Sequence, residues 1–367
     1  MQIVIMLAAI LAANFYVFFR LWNMIPLEGA WKTVFVVAAA ALISFMFLPI
    51  LAGHLFPLWL SSFMYKVGTS WFFVFFYLLL IFVLLDLVRL THLLPVGKFM
   101  SDSWMGTGIL AGLLTVVFTI SYINYRNKQR IELDIVTGKE LPADKPLKIV
   151  AVSDLHLGYG IGQREFEKWI TLINNEEPDV VVMAGDIIDN SVYPLVKKDY
   201  ASSFRKIRSK YGVFVIPGNH EYISGIGKSL DFLNSADVTV LKDSVAFVNG
   251  LFYIVGRDDR TNPYRKPLAE LIAGTDRSKP ILILDHQPYE LEEAETNGIN
   301  IQFSGHTHYG QVWPISALTR LMYENAHGLI KKGDSNIYVS SGLGIWGGKF
   351  RIGTRSEYVV INLIPGS

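Results

Sequence analysis

The segment Ser304-Gly305-His306-Thr307-His308-Tyr309-Gly310-Gln311 follows the alternating run Ile299-Asn300-Ile301-Gln302-Phe303. An alternation of this length reads as a strand, so His306 and His308 stand on the turn at its carboxyl end. Two imidazoles one residue apart can face a single cleft, an arrangement suited to metal ions. A lone His-x-His is weak evidence, because paired surface histidines are common. Repetition of the layout elsewhere in the chain gives it weight.

Four earlier stretches repeat it, each an apolar strand followed abruptly by polar residues of metal-ligand type. Leu147–Ser153 delivers Asp154-Leu155-His156, and Val180–Gly185 delivers Asp186, with Asp189 and Asn190 just beyond. Val213–Gly218 delivers Asn219-His220-Glu221, and Ile281–Asp285 delivers His286. In open α/β sheets, ligands bind in the crevice beyond the carboxyl ends of the strands. Five strands ending this way point to one common site. The ligand pool is Asp154, His156, Asp186, Asn219, His286, His306 and His308. Carboxylate, imidazole and amide donors without a thiolate suit Mn, Fe, Zn, Co or Ni. Seven ligands exceed what one tetrahedral zinc needs, and fit two divalent ions sharing an aspartate.

In this order, Asp-x-His, Gly-Asp, Gly-Asn-His-Glu, a lone His and Gly-His-x-His resemble the calcineurin-like metallophosphoesterases over roughly residues 131–363. Ser153–Gly158, Asp285–Pro288, the His306/His308 segment and Gly342-Leu343-Gly344 are similar to the bacterial branch with membrane-associated and lipid-linked phosphodiesterases. Tyr309 departs from the glycine many relatives carry, and would narrow the cleft mouth or stack on a substrate ring. The resemblance implies two packed mixed β-sheets flanked by helices, an αββα sandwich. It also implies Asp154, His156 and His308 on one metal, Asn219, His286 and His306 on the other, and Asp186 bridging. His220 would contact the phosphate and protonate the leaving oxygen. In-line attack by a metal-bridging hydroxide on a phosphodiester or pyrophosphate is the implied reaction.

With 367 residues, two domains are expected. Hydrophobic residues make up 51% of the chain, yet most charges lie after Arg126. A net charge of +1 and no basic cluster interleaved with aromatics argue against a nucleic-acid partner. No cysteine is present, which excludes disulfides, thiolate metal sites and cysteine nucleophiles.

Residues 1–125 contain four apolar stretches, Ile3–Phe19, Val34–Leu55, Trp71–Leu94 and Gly106–Ile123. Each approaches the ~17–25 residues an α-helix needs to cross a bilayer. A four-helix transmembrane domain is expected at 1–125, a linker with an edge strand at 126–146, and the catalytic domain at 147–367. The first stretch lacks the flanking signals of a cleaved leader. Trp22, Trp31 and Trp104 are assigned to one membrane interface and Trp59 and Trp71 to the other. Asp86 and Arg89, three apart, are expected to pair on one helical face. Arg126, Lys128 and Arg130 favour a cytoplasmic catalytic domain, although Arg20, Lys32, Arg89 and Lys98 would then flank the opposite side.

Helices are expected at Gln163–Glu176, Pro194–Lys210 and Ile226–Ala236, with a more mixed sheet built from the later strands. A turn is expected at Gly138 and Pro142. Arg257-Asp258-Asp259-Arg260 is read as a loop tied by ion pairs. Trp313, Tyr323, Trp346, Phe350 and Arg351 are candidates for a lip that receives acyl chains; His327 and His54 are read as isolated. The leading expectation is a membrane-integral two-metal phosphohydrolase acting on a phosphorylated small molecule or lipid. The alternatives are a sensor or scaffold that binds without turnover, and a transporter carrying a regulatory hydrolase domain.

Overall fold

The computed structural model describes residues 2–141 and 146–366, without the side chains of 2–4, 6 and 7; Pro142 and part of the expected linker lie outside them. The chain forms two units, Met1–Ser121 and Tyr122–Ser367.

The four apolar stretches lie mostly on helices, α1 (Gln2–Met24), α2 (Gly29–Ala41), α3 (Ser44–Ala52), α4 (Leu58–Leu90) and α5 (Trp104–Arg126); the third stretch runs four residues past α4, and α5 ends beyond Ser121, the last residue of the first unit. Among the described residues, α4 and α5 are each long and apolar enough to cross a membrane. The second stretch is not one straight span. It is a bent pair, with α2 and the helical segment Ser44–Leu55 meeting at 41°, and it adds a third span if counted as one. At the bend, the Phe45 and Met46 N–H groups reach back only three residues, to the Leu42 and Ile43 carbonyls. Gly68 of α4 lies directly against this bend, where any Cβ would collide with the Phe45–Met46 backbone. Glycine at that position lets the two helices close.

α4 begins at Leu58, so Trp71 sits about 20 Å along it. It packs against a cluster built on Val17, Leu21, Leu78 and Phe82, away from the helix end where Trp59 is exposed. The other three tryptophans do share an end. Asp102 and Ser103 N–H groups donate to the Asn23 and Met24 carbonyls, and Lys32 pairs with Asp102 at 3.0 Å. Asp86 does not pair with Arg89. Packing of Val17 and Leu21 against Leu78 and Phe82 aligns Tyr16 and Arg20 with Asp86, which pairs with Arg20 at 2.5 Å and accepts from the Tyr16 hydroxyl.

Among the described residues, the second unit has twelve strands: β1 (Gln129–Thr137), β2 (Leu147–Val152), β3 (Val180–Ala184), β4 (Val213–Ile216), β5 (Thr239–Val240), β6 (Ser244–Val248), β7 (Phe252–Gly256), β8 (Ile281–Leu284), β9 (Ile301–Ser304), β10 (Gly328–Lys332), β11 (Ser335–Val339) and β12 (Glu357–Pro365). They form two six-stranded sheets, ordered β1-β12-β2-β3-β4-β5 and β10-β11-β9-β8-β7-β6. Both are mixed. β2 to β5 run parallel while β12 is antiparallel to β2; β7, β8, β9 and β11 are parallel, with β6 and β10 antiparallel at the edges. β1 edges the first sheet, parallel to β12.

The continuous apolar runs of β2, β3, β4 and β8 arise because both faces of each strand are covered. Ile149, Ala151, Val182 and Phe214 meet Phe252, Ile254, Leu282 and Phe303 between the sheets. On the outer face, Val150, Val152, Val181 and Met183 pack against α6 (Gln163–Asn175) through Phe166, Trp169, Ile170 and Ile173. These four recur at helical spacing, the stripe the sequence displays.

The expected helix at Pro194–Lys210 is instead two short ones, α7 (Tyr193–Lys197) and α8 (Tyr200–Phe204). Asp199, at φ 50°, breaks the run and caps α8 by accepting from the Ser202 N–H. α9 (Asn219–Ile223) and α10 (Ile226–Ser235) follow β4.

Candidate metal centre

The loops after β2, β3, β4, β8 and β9 bring all seven expected ligands together with His220. Asp154, His156 and His308 form one group, with His156 Nε2 3.0 Å from His308 Nε2 and Asp154 Oδ1 3.6 Å from that same nitrogen. Asp186, His286 and His306 form another, and Asn219 joins it, its Oδ1 3.2 Å from His286 Nε2 and 2.9 Å from His306 Nδ1. Asp186 faces both groups, its Oδ2 3.1 Å from His286 Nε2 and 3.7 Å from His156 Nε2.

Backbone conformation sets these directions. Asp154, His156, Asp186, His306 and His308 all have left-handed φ angles, between 46° and 70°. Such conformations cost on the order of 1–3 kcal/mol each, persist only where the surroundings over-determine them, and concentrate at functional sites. Part of the restraint is Glu221. Its buried carboxylate accepts from the backbone N–H groups of Asp186 (3.0 Å), Ile188 (2.8 Å) and Gly218 (2.7 Å). Gly218 is required for closeness, since a Cβ there would strike the Asp186 carboxylate and the His286 ring.

The electrostatics call for a cation. His286 Nδ1 lies 2.8 Å from the Ala184 carbonyl, which it can only meet as a donor, so a neutral ring turns a bare Nε2 toward the oxygens of Asp186 and Asn219. A proton or a metal must lie between them. Burial pushes the His286 pKa down, but the Asp186 carboxylate outweighs it and leaves it well above the usual imidazole value. For Asp186, burial works upward, yet His286 and His220 hold it well below the usual carboxylate range. Burial lifts Asp154. Burial also drops His306 to about 4, helped by the His286 charge, and His308 well below its ordinary value, helped by His156. Two buried rings held neutral beside carboxylates are ready-made ligands. The donor set thus fits divalent metal ions.

His220 stands beside the groups. Its backbone N–H donates to Asp186 Oδ1 at 2.8 Å, and its ring Nδ1 meets the Asp189 carbonyl at 2.9 Å. Burial lowers its pKa, but Asp186 and Asp189 reverse that and leave it raised. Asp189 had no assigned role in the sequence. Its Oδ1 lies 3.4 Å from His156 Nδ1 and 3.5 Å from His220 Nδ1 without a hydrogen bond to either, and the three residues form a third group of potential metal donors; its backbone carbonyl is what engages the His220 ring. Spacing three residues after Asp186 was the available signal.

Glu221 and Arg351 were also not assigned these positions. Arg351 is no part of a lip. It is fully buried and donates to the His308, Ser341 and Gly344 carbonyls, fixing the loop that carries His308; burial lowers its pKa to about 10. His327 is not isolated, since it pairs with buried Glu357 at 3.0 Å and stacks on Tyr309. The Arg257–Arg260 loop is tied by ion pairs, Arg257 with Asp285 and Glu293, Asp258 with Lys242, and Arg260 with Glu290.

A family model described as calcineurin-like phosphoesterase matches residues 147–310. A metallophosphoesterase of Helicobacter pylori strain J99 is 35% identical over 232 residues, 60% of this chain and 61% of that protein. One from Aquifex aeolicus is 30% identical over 242 residues, 64% of this chain and 91% of that protein. A Danio rerio protein named a transmembrane protein with metallophosphoesterase domain is 27% identical over 329 residues, covering 84% of this chain and 74% of its own length. The chain spans about three fifths of the length of the Helicobacter and Campylobacter relatives it matches. With its ordered ligand motifs carried at the ends of two packed sheets, the chain belongs to the calcineurin-like metallophosphoesterase family.

Proposed function

We propose that this chain is a membrane-anchored, metal-dependent phosphoesterase acting on phosphodiester or pyrophosphate bonds. The observation that carries the reading is Asp186 Oδ2, which faces a histidine of each ligand group. Asp154, His156 and His308 would hold one divalent ion and Asn219, His286 and His306 a second, with Asp186 common to both. Ions so held supply Lewis acidity toward phosphoryl oxygens and lower the pKa of water.

The chain's own groups do the rest. His220 keeps Nδ1 engaged with the Asp189 carbonyl, leaving Nε2 to hold the proton that a departing alkoxide needs. Asp189 fixes that ring, and Arg351 and Glu221 hold the ligand loops in place.

A lipid-linked substrate is supported by exposed apolar residues just beyond His308. Trp313, Leu321 and Met322 are 58%, 84% and 71% exposed around the helix Ile315–Met322. Leu321→Gln should slow turnover of a lipid diester while sparing a soluble one; equal effects on both would remove the lip.

The apolar helices support a multi-pass anchor, and the basic residues from Arg126 onward favour a cytoplasmic catalytic unit. A cysteine at position 250 should resist an impermeant thiol reagent in intact cells, and labelling there would reverse the orientation. The central test is hydrolysis of bis-p-nitrophenyl phosphate by the full-length protein in detergent. Activity that requires added Mn²⁺ and disappears in Asp186→Ala is expected; activity surviving that substitution would end the reading.

A further inference from the structure

Away from the ligand groups, a cavity of about 320 Å³ opens between the chain segment 126–128 and the first turns of α6. Arg126, Lys128, Arg164 and Lys168 line it, and among the described residues Glu165 is the one acidic member of its wall. Arg164, Glu165, Lys168 and Trp169 are spaced to share one face of the helix. Glu165 is already engaged, accepting from the Tyr125 hydroxyl at 2.6 Å and pairing with Lys349. Arg126 donates to a neutral group, the Tyr122 hydroxyl. Among the described residues, no carboxylate pairs with Arg126, Lys128, Arg164 or Lys168.

Lys128 is the odd member. Its Nζ is closed off from solvent and has no hydrogen-bond partner. It lies over the Tyr125 ring at 3.6 Å and 4.9 Å from the Trp169 ring centroid. Cation–π contact offsets only part of the cost of desolvating an ammonium. Burial accordingly drives its pKa well below the usual lysine value. Glu165 acts on Lys128 only through space, and a buried amine with no hydrogen-bond partner, set in a wall of cations, is the arrangement an anion completes.

The position of the cavity in the chain narrows the anion. Arg126 is the last residue of α5, a helix long and apolar enough to cross a membrane, and Lys128 follows two residues later. Basic residues immediately beyond a span lie where phospholipid headgroups are, and attract anionic ones. We propose that this cavity binds a phosphate-bearing anion, the headgroup of an anionic phospholipid, with Lys128 as the buried contact and Arg126, Arg164 and Lys168 around it. The site is separate from the seven ligands and does not depend on turnover.

The test is thermal unfolding of the full-length protein in nanodiscs of phosphatidylcholine alone or with phosphatidylglycerol. Phosphatidylglycerol should raise the midpoint of the wild-type protein by a few degrees, as a ligand bound only by the folded state does. Lys128→Met should melt no lower than wild type in phosphatidylcholine, because it removes a buried amine that lacks a hydrogen-bond partner, yet gain less than half of that rise. The exposed double variant Arg164→Gln/Lys168→Gln should lose most of the rise too. If millimolar inorganic phosphate in phosphatidylcholine nanodiscs gives the same variant-sensitive shift, the anion site stands and its source is soluble phosphate. Neither anion stabilising the wild type, or both variants gaining as much as wild type, overturns the proposal.

Discussion

The two units of this chain use polar residues in opposite ways. In the helical unit, apolar side chains face outward, among them Leu51, Leu84, Leu87 and Ile109. Its polar contacts join helices, as Asp86 does with Arg20 and Tyr16. In the sheet unit, apolar strands are covered on both faces and the polar residues gather at strand ends, where Asp154, His156, Asp186 and His286 are almost wholly buried. Burying that much charge is costly unless a partner compensates it. In the first unit the polar residues hold a structure together, whereas in the second the structure holds the polar residues together.

Substitutions that separate the two uses can break this contrast. The largest effect is expected for His220→Asn, which should lower kcat by about 10²–10⁴-fold while leaving bound Mn²⁺ unchanged. Kinetics with metal analysis on one sample checks this, and loss of metal would make His220 a ligand instead. Next comes pH. In the metal-free protein, Asp186 holds the His286 pKa above its ordinary value, so an incoming ion must displace that proton. Mn²⁺ affinity should therefore rise with pH below that raised pKa, by up to about tenfold per unit. Calorimetry in buffers of different ionisation enthalpy should count about one proton released per chain. Release of none would mean His286 is already neutral. Smallest is Asp86→Asn, which leaves Arg20 without its counter-charge. It should destabilise the helical unit by about 1–2 kcal/mol with no change in Mn²⁺ affinity; a fall in affinity would contradict the division of labour.

Legibility in the sequence follows the same divide. The sheet unit declared itself because strand periodicity, an abrupt polar residue and the ligand type coincide five times over, which names Asp154 through His308 as candidates for one common cleft. What stayed hidden there were residues that act through others. Asp189, Glu221 and Arg351 carry no periodic signal, and their roles depend on loops that meet only in three dimensions. Local breaks were also hidden, because the turn at Asp199 rests on one left-handed residue.

In the helical unit, apolarity marked where helices lie but not which neighbours they choose. Asp86 was assigned to Arg89 by spacing, yet α1 packing brings Arg20 closer. Trp71 was assigned to an interface, but α4 starts well before it. Uniform apolar composition hides both facts, since helix length and partner are set by side-chain packing.

The claim beneath all of this is that the Asp186 carboxylate lies between two cation sites. Electron paramagnetic resonance of the full-length protein titrated with Mn²⁺ reads it directly. The account predicts a magnetically coupled Mn²⁺ pair in the wild type that is absent from Asp186→Ala. Two bound Mn²⁺ ions per chain with an uncoupled signal, or coupling that survives loss of Asp186, would contradict it.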